Sequence, residues 1–420
     1  MLQGDGVAVV PAGEVADRGG EAEVAPAPAA SEPASFGELL ARTGPVEALG
    51  EIWVQVFEYL PTSDLRSLPL VCKRFAEMMR NYSNQLWRAV LQRQPWRETL
   101  PRKSSRNLRE FYKFKTLETT RNWREGRCVF TCLWGHTDYV CCLNFDDKVL
   151  ASGSMDTQIR IWDIHGDRSC VAVLEGHEGT VHQVRLQKDG TLASCSGDRT
   201  VRVWDLNTQQ QVLSHTLMSS NSGTCPVYDL KSNGWGELVV ACHDGSFRFL
   251  DTRVPGLEVS RVLEHTGSVL CLEWDRDRYV VTGGTDKICR TFDRRMNASL
   301  CTFAKHRRAC TTIAWDGPGS NVISGSFDRT VRLWSWSTGK GIKKLTGHTE
   351  SISCVQVHRK RMVTGSNDRT LRLWSLKSNR CIQTFGGFSG DVFSLQFSQS
   401  LMVNGSCRTI NVWDFEALER

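Results

Sequence analysis

Apolar and polar residues alternate through most of the chain beyond residue 127, in short runs that turn-forming residues separate. The runs Val140–Phe145, Val149–Gly153, Ile159–Trp162 and Cys170–Leu174 are one such series of four. Alternation with a period of two predicts half-buried β-strands. The series returns about every forty residues, which predicts a repeat of four-stranded units.

Each unit ends in a motif close to Asp-x-Thr-apolar-Arg-apolar-Trp-Asp. The Trp or its substitute falls at 162, 204, 250, 292, 334, 374 and 413, so we expect seven units. Repeated four-stranded sheets are typical of a β-propeller, in which each unit is one blade. The last unit ends at Asp414 after three strands, whereas an extra strand at 127–133 precedes the first. We expect that strand to complete the last blade and close an all-β ring over 127–420.

Four blades share a His, a Ser or Thr, an Asp and a Trp at matching positions. These sets are His136, Ser152, Asp156 and Trp162; His177, Ser194, Asp198 and Trp204; His306, Ser324, Asp328 and Trp334; and His348, Thr364, Asp368 and Trp374. Hydrogen bonds within each set would satisfy these groups inside a blade. Ser, His and Asp also form hydrolase triads, but recurrence in blade after blade favours a structural role.

Blades three and seven lack this set. Blade three has Val240 and Leu250 in its place, and blade seven has Phe388, Val403 and Cys407. Sequence drift explains the loss most simply. A specialised surface at these blades is the alternative.

The chain before the ring divides into three stretches of different composition. Residues 1–35 are rich in Ala, Gly, Pro and Glu without a period, which predicts a disordered tail. Residues 46–88 have apolar rows at helical spacing, such as Ile52, Val56 and Leu60, and predict a small all-α domain. Residues 89–126 predict a basic helical linker. From 88 to 127 there are twelve Lys or Arg against four Glu, so nucleic-acid contact or nuclear import is an alternative use of this stretch.

The composition narrows the class of protein. A net charge of +6 is a mild excess that does not favour a nucleic-acid-binding protein, and no apolar run is long enough to cross a membrane. The sixteen Cys include no Cys-x-x-Cys pair, so we expect no structural zinc. With no export signal at the N-terminus, reduced thiols in the cytoplasm or nucleus are the expectation.

The forty-residue unit resembles the WD repeat throughout 128–414, and residues 46–87 resemble the F-box. The F-box likeness rests on Glu51-Ile-Trp-Val-Gln-Val-Phe-Glu-Tyr-Leu-Pro61, Asp64-Leu65, Val71-Cys-Lys-Arg-Phe75 and Leu86-Trp-Arg88. The join Asn122-Trp-Arg124-x-Gly126-Arg127 also looks like that of F-box/WD-repeat proteins. The order of the modules is that of this family.

The resemblance implies a substrate-recognition subunit of an SCF-type ubiquitin ligase. The F-box would bind a Skp-family adaptor, and through it a cullin and a RING subunit, while the propeller would hold protein targets for ubiquitination and proteasomal degradation. Neither catalytic residues nor a cofactor would be expected on this chain. Adaptor contacts would come from Leu49, Ile52, Val56, Leu60, Leu65, Leu68, Val71, Cys72, Phe75 and Trp87.

Propellers of this family bind partners on the face that carries the turns between the second and third strands. Cations follow the turn Asp in several blades, and aromatic residues stand nearby, so the predicted target-binding set is Arg199, Tyr228, Lys287, Arg307, Arg308, Phe327, Arg329, Arg369, Phe393 and Arg408. Clustered guanidinium groups suit phosphate or carboxylate, which favours phosphorylated or acidic targets. The alternative function is a scaffold outside ubiquitin ligases, assembling a signalling or RNA-processing complex.

Overall fold

The computed structural model describes residues 108–416, except 165, 220–222, 255–256, 316–318 and 359–360. The predicted tail, the F-box with its adaptor contacts from Leu49 to Trp87, and the first part of the linker lie outside these residues. Within them, no helix is long and apolar enough to cross a bilayer.

A helix and a single strand come before the first blade. The helix α1 is Leu108–Glu125, and the strand β1 is Val129–Trp134. The helix ends at Gly126, whose φ of 71° is left-handed. The N–H of Arg127 bonds to the carbonyl of Asn122 at 2.9 Å, the six-to-one bond of a Schellman cap.

The remaining strands follow in groups of four. Blade one has β2 Val140–Phe145, β3 Val149–Ser154, β4 Ile159–Asp163 and β5 Cys170–Leu174. Blade two has β6 Val181–Leu186, β7 Thr191–Ser196, β8 Thr200–Asp205 and β9 Gln210–Thr216. A small hairpin, β10 Met218–Ser219 and β11 Gly223–Thr224, leads to blade three, which has β12 Val227–Ser232, β13 Glu237–Cys242, β14 Ser246–Asp251 and β15 Glu258–Leu263.

Blades four to seven continue the series. Blade four has β16 Val269–Trp274, β17 Tyr279–Gly284, β18 Ile288–Asp293 and β19 Ala298–Ala304. Blade five has β20 Cys310–Ala314, β21 Val322–Ser326, β22 Val331–Trp334 and β23 Gly341–Leu345. Blade six has β24 Ile352–His358, β25 Arg361–Ser366, β26 Leu371–Ser375 and β27 Arg380–Phe385. Blade seven has β28 Val392–Phe397, β29 Leu401–Ser406 and β30 Thr409–Asp414.

Blade seven closes the ring with strands from both ends of the propeller. Its sheet order is β1-β30-β29-β28, and β1 pairs antiparallel with β30 from Val129↔Asp414 to Trp134↔Thr409. The predicted seven-bladed propeller and its closing strand are therefore confirmed. The closure covers an edge that would otherwise leave unpaired backbone groups.

Neighbouring blades pack face to face, which limits side-chain size in the inner strands. A Cβ on Gly153 would lie 2.6 Å from both Cys142 Sγ and Val181 Cγ1. A Cβ on Gly365 would likewise lie 2.9 Å from Cγ1 of Val392 in blade seven. No real Cβ tolerates such contacts, so each glycine permits the close approach of the next blade. Most residues of the outermost strands are instead exposed or half-buried, as in β5 and β23.

Side chains on the innermost strands hold each blade to the next. Asn144 accepts the N–H of Leu186 at 2.7 Å, and Asp229 accepts that of Leu272 at 2.9 Å. Gln396 likewise accepts the N–H of Phe145 at 2.7 Å across the closure. These innermost strands enclose a central channel of about 400 Å³.

The end of α1 is fixed to blade seven by one aromatic residue. Trp123 is 1% exposed and stacks on Phe415 with ring centroids 3.9 Å apart. Its indole N–H donates to the carbonyl of Gln399 at 2.9 Å, and the guanidinium of Arg361 lies 5.2 Å from the ring. Asn122 adds a bond to the carbonyl of Phe415 at 2.8 Å. The Asn-Trp join seen in the sequence is thus a packed junction.

Candidate functional site

The turns between the second and third strands of all blades lie on one face, which we call the turn face. The loop that enters each blade lies there too, since backbone bonds join loop and turn, such as Phe327 N–H to Ala309 O at 3.1 Å. In blades one to six, one turn residue is left-handed, with φ between 63° and 84°: Thr157, Arg199, Gly245, Lys287, Arg329 and Arg369. This is the hairpin in which a type I turn is followed by a left-handed residue.

In blades one to six, hydrogen bonds to the turn Asp stabilise this conformation. Asp198 accepts the N–H of Thr200 at 2.9 Å, and the N–H of Arg199 bonds to the carbonyl of Ser196 at 3.1 Å. Asp328 repeats the arrangement with Thr330 at 3.0 Å. The bonds fix the turn, so the cation that follows the Asp stands at its tip.

The recurring His, Ser, Asp and Trp form the predicted chain of bonds. In blade one, His136 bonds through Nδ1 to Asp156 and through Nε2 to Ser152 Oγ, each at 2.8 Å, and the indole of Trp162 donates to that hydroxyl at 2.9 Å. The other three sets show the same contacts, so the structural role is confirmed. Ser152 is 0% exposed, and no substrate could reach its hydroxyl.

Blade four keeps the His, the hydroxyl and the Asp of this set, which were not recognised from the sequence. His265 bonds to Asp286 and to Thr282, each at 2.9 Å, while Phe292 replaces the indole. In this blade Thr282 stands in place of Ser and Phe292 in place of Trp, so the set does not match the pattern of the other four blades.

These bonds turn the carboxylates of the turn face inward. Burial opposes ionisation of Asp198, but hydrogen bonds from His177 and Thr200 outweigh it and hold the pKa of that carboxyl well below its usual range. Burial also lowers the pKa of His136, against the opposing effect of Asp156. The carboxylate of Asp198 is therefore ionised, and its hydrogen bonds hold it toward the blade interior. Its arginine ion-pair partner among the described residues is Arg202 at 4.0 Å, not the exposed Arg199 beside it.

The predicted cations all lie exposed on the turn face: Arg199, Lys287, Arg307, Arg308, Arg329, Arg369 and Arg408. Arg307 and Arg308 belong to the loop entering blade five, where the N–H of Arg307 bonds to Asp328 at 3.0 Å. Among the described residues, Arg329 alone of the seven forms an ion pair, with Glu350 at 3.5 Å. Both partners are more than half exposed, so water screens this pair strongly and it stabilises little.

Arg408 occupies a different kind of turn from the other cations. Only Cys407 and Arg408 separate the paired residues Ser406 and Thr409, and Cys407 is the left-handed residue with φ of 54°. The corresponding turn in blade six has one more residue. Arg408 still lies at the tip of its turn, but it is not the positional counterpart of Arg369.

Blade seven satisfies its tryptophan without a histidine. The indole of Trp413 donates to Asn404 Oδ1 at 2.9 Å, and Phe388 packs edge-on against the ring with centroids 5.9 Å apart. An amide and a phenyl ring thus replace the hydroxyl and the imidazole.

The predicted aromatic residues frame the mouth of the channel. Tyr228 and Phe393 are bulged residues at the start of β12 and β28, and both line the channel. The Tyr228 ring lies between His182 at 5.3 Å and His243 at 6.0 Å. Phe393 meets Tyr139 at 5.4 Å. Tyr139, His182 and His243 were not among the residues predicted from the sequence. His182 occupies in blade two the bulge position that Tyr228 occupies in blade three, so this shared position could have indicated His182 from the sequence.

Phe327 stands apart from these pairs in the turn of blade five. Its side chain is 42% exposed on the turn face. It therefore offers a flat apolar surface between the cations of that blade.

Blade three replaces the missing set with an ion network. Arg248, 1% exposed, donates to Asp244 and Glu258 at 2.9 Å each and to the carbonyl of Met218 at 2.7 Å. Val240 and Leu250 stand where other blades have the hydroxyl and the indole. Because both partners of that hydrogen bond are replaced by apolar side chains, neither is left unpaired. The polar groups of blade three are paired in the ion network instead.

A thiol pair adjoins this network. The ligand atoms of Cys225, Cys242 and Asp244 lie within 4.8 Å of one another, a spacing that could suit a metal. However, Ser246 donates twice to one oxygen of Asp244, and Arg248 and Arg261 donate to the other. The carboxylate has no lone pair left for a cation. A hydrogen bond with Cys242 lowers the pKa of Cys225 to about 7.

We predict that Arg248→Lys lowers the free energy of unfolding by about 1–2 kcal/mol, because the ammonium of lysine cannot bond to both Asp244 and Glu258 as the planar guanidinium does. Urea unfolding followed by circular dichroism measures it. Arg253→Lys is the matched control, since Arg253 pairs with Asp251 at 2.8 Å but is 59% exposed. The control should change stability by less than about 0.5 kcal/mol. Equal losses in both variants would contradict a structural role for the buried network.

Comparison with known proteins gives two family matches. The model "WD domain, G-beta repeat" matches residues 126–163, 168–205, 257–293, 297–335 and 339–375. The model "F-box-like" matches 50–93. The inner strands of blades three and seven fall outside the matched repeats, and these are the blades that lack the His, Ser, Asp and Trp set.

Individual relatives include a ribonucleoprotein component and subunits of SCF ubiquitin ligases. The U5 small nuclear ribonucleoprotein 40 kDa protein of Dictyostelium discoideum is 25% identical over 198 residues, 47% of this chain and 42% of the relative. The probable E3 ubiquitin ligase complex SCF subunit sconB of Arthroderma benhamiae is 58% identical over 43 residues, 10% of this chain and 6% of the relative. Its counterpart in Talaromyces stipitatus is 39% identical over 93 residues, 22% and 14% respectively. The chain thus covers less than half the length of each of these relatives.

Proposed function

The chain belongs to the F-box/WD-repeat family, and we propose from this premise that it is the substrate-recognition subunit of an SCF-type ubiquitin ligase. The single observation that carries the proposal is an F-box-like segment followed by a closed propeller with WD repeats. Segments similar to SCF subunits named sconB support it. A Skp-family adaptor binds the F-box, and the adaptor connects it to the cullin and the RING subunit in the cytoplasm or nucleus.

No chemistry takes place on this chain under the proposal. The hydroxyls of the Ser-His-Asp sets are buried and already bonded to an indole, which supports a receptor without catalysis of its own. Its contribution is to raise the effective concentration of a target lysine near a charged ubiquitin carrier.

The turn face holds the target. It exposes seven cations, and four of them, Arg199, Lys287, Arg329 and Arg369, follow an Asp whose carboxylate bonds to a buried His, so the surface presents positive charge. Guanidinium groups bind phosphate or carboxylate through two parallel hydrogen bonds. The ligand on the target is therefore a phosphorylated or acidic segment, with Tyr228, Phe327 and Phe393 contacting its apolar side chains.

Adaptor binding separates this function from its alternative. Deleting residues 46–88 should abolish co-purification of the Skp-family adaptor from cells, because the F-box motifs lie within them. Deleting residues 1–35 is the matched control and should leave adaptor recovery unchanged. Adaptor absent from the intact protein, or retained after the first deletion, would refute the receptor function.

The second candidate is a scaffold in an RNA-processing complex. It is favoured by the likeness of the repeats to the U5 small nuclear ribonucleoprotein relative. In the same purification it would appear as ribonucleoprotein components recovered without the adaptor.

A further inference from the structure

The half of the central channel away from the turn face is surrounded by one layer of side chains. Each comes from the fifth residue of an innermost strand. Six of these seven line the channel: Asn144, Arg185, Lys231, Glu273, Gln356 and Gln396. The seventh position is Ala314. The layer is thus polar, although the blades around it are packed with apolar residues.

Most polar groups in this layer already have partners. Gln396 bonds to both the N–H and the carbonyl of Phe145, at 2.7 and 3.1 Å. Asn144 accepts from Leu186 at 2.7 Å and donates to Gln396 at 3.2 Å. Gln356 in turn bonds to the backbone of Phe397. These amides hold the blades together and are not available to a ligand.

The charged members of the layer differ from one another. Lys231 and Glu273 form an ion pair. Arg185 has one bond among the described residues, to the carbonyl of Val184 at 3.4 Å, and no carboxylate lies within ion-pair distance of it there. Its guanidinium is half-buried in the channel wall with most of its five donors unused.

The other carboxylate that lines the channel makes no hydrogen bond to Arg185 among the described residues. Asp229 accepts the amide of Gln183 at 2.9 Å and the N–H groups of Leu230 and Leu272. The bonds of Asp229 go to the backbone and to Gln183, so within the described part of the chain Arg185 has no carboxylate partner in this part of the channel.

We propose that the channel around Arg185 is a binding site for an oxyanion, either a carboxylate or a phosphate, which the guanidinium holds. A half-buried guanidinium in a polar cavity is stabilised by an oxyanion that accepts two parallel hydrogen bonds from it. The volume of about 400 Å³ is within the range of small-ligand pockets, roughly 300–1,000 Å³. The anion is either a free small molecule or an acidic group at the end of a target segment that enters from the turn face. This site goes beyond the proposed function and is distinct from the cations of that face.

Calorimetric titration of the full chain with inorganic phosphate and with citrate, each against chloride at equal ionic strength, tests the site. The intact protein should bind one of them saturably, and Arg185→Met should weaken binding by at least about tenfold. Arg253→Met is the matched control, because Arg253 is 59% exposed in a turn that lies outside both the channel and the turn face, and it should bind as the intact protein does. Arg185→Lys keeps the charge without the fork and should give an intermediate affinity, which provides a second variant if Arg185→Met folds poorly.

Two results would overturn the site: saturable binding absent for both anions, or unchanged in Arg185→Met with native circular dichroism. Target recovery from cells then distinguishes the sources of the anion. If Arg185→Met loses anion binding but still captures targets, the ligand is a free small anion. If it loses both while still recovering the adaptor, the oxyanion belongs to the target. Loss of the adaptor in the intact protein would instead refute the proposed function and leave the calorimetric result valid.

Discussion

Glutamate at positions 329, 369 and 408 together should abolish target capture while leaving adaptor recovery unchanged. The variant Arg329→Glu, Arg369→Glu, Arg408→Glu reverses three guanidinium groups that stand exposed at turn tips. The fixed left-handed turns at Arg329 and Arg369 direct both side chains outward, so no rearrangement can hide the new carboxylates. Each lost charge-assisted bond costs about 1.5–3 kcal/mol, so binding of an anionic segment should weaken by at least about 100-fold.

Affinity purification with the proteasome blocked measures this effect. The control is Lys188→Glu, Arg253→Glu, Arg295→Glu, which reverses the same number of exposed cations in turns between other strands of blades two, three and four, away from the channel lining. It should retain the targets. Capture that survives reversal on the turn face, or that is lost equally in the control, would contradict anion recognition there. Within the triple change, Arg329 should contribute least, because Glu350 at 3.5 Å already offsets its charge.

The sequence predicted the fold because its pattern is local and repeated. Alternation with a period of two places a strand, and the forty-residue period places a blade. The strand at Val129–Trp134 could be assigned to blade seven because Asp414 ends a blade one strand short. The bonds of His136 followed from the same repetition, since four groups that recur at one spacing must satisfy one another inside the blade.

The sequence could not predict features that arise from closure of the ring. The turn at Arg408 is one residue shorter than that at Arg369, and the two cannot be distinguished by aligning motifs. Phe393 and Tyr139 come from different blades, as do Tyr228 and His182. The guanidinium of Arg185 could be recognised as available only once all seven innermost strands were seen to line one channel. Its neighbours there hydrogen-bond to one another, whereas Arg185 has one bond in the described part of the chain, to the carbonyl of Val184. The Arg248 network likewise depends on residues that three separate segments contribute.

Truncation of Trp123 should be the most destabilising single change at the start of the propeller. Trp123→Ala removes a ring that is 1% exposed, stacks on Phe415 and supports the guanidinium of Arg361. It also leaves the carbonyl of Gln399 without the indole donor. We expect the free energy of unfolding to fall by about 3–5 kcal/mol, the range for large aromatic residues replaced by alanine in a core. Urea unfolding followed by circular dichroism measures the loss.

Trp123→Phe separates the packing of the ring from its hydrogen bond. Phenylalanine can keep the stack on Phe415, at 3.9 Å in the native protein, but cannot donate to Gln399. Its loss should therefore be smaller, about 1–2 kcal/mol for one buried hydrogen bond left unsatisfied. In Trp123→Ala the last turn of α1 should also lose protection from hydrogen exchange, because Asn122 alone then bonds it to residue 415. If instead both variants unfold at the native urea concentration, the ring does not hold α1 to blade seven, and the join must be stabilised by the bonds of Asn122 and Thr119 to residues 415 and 416.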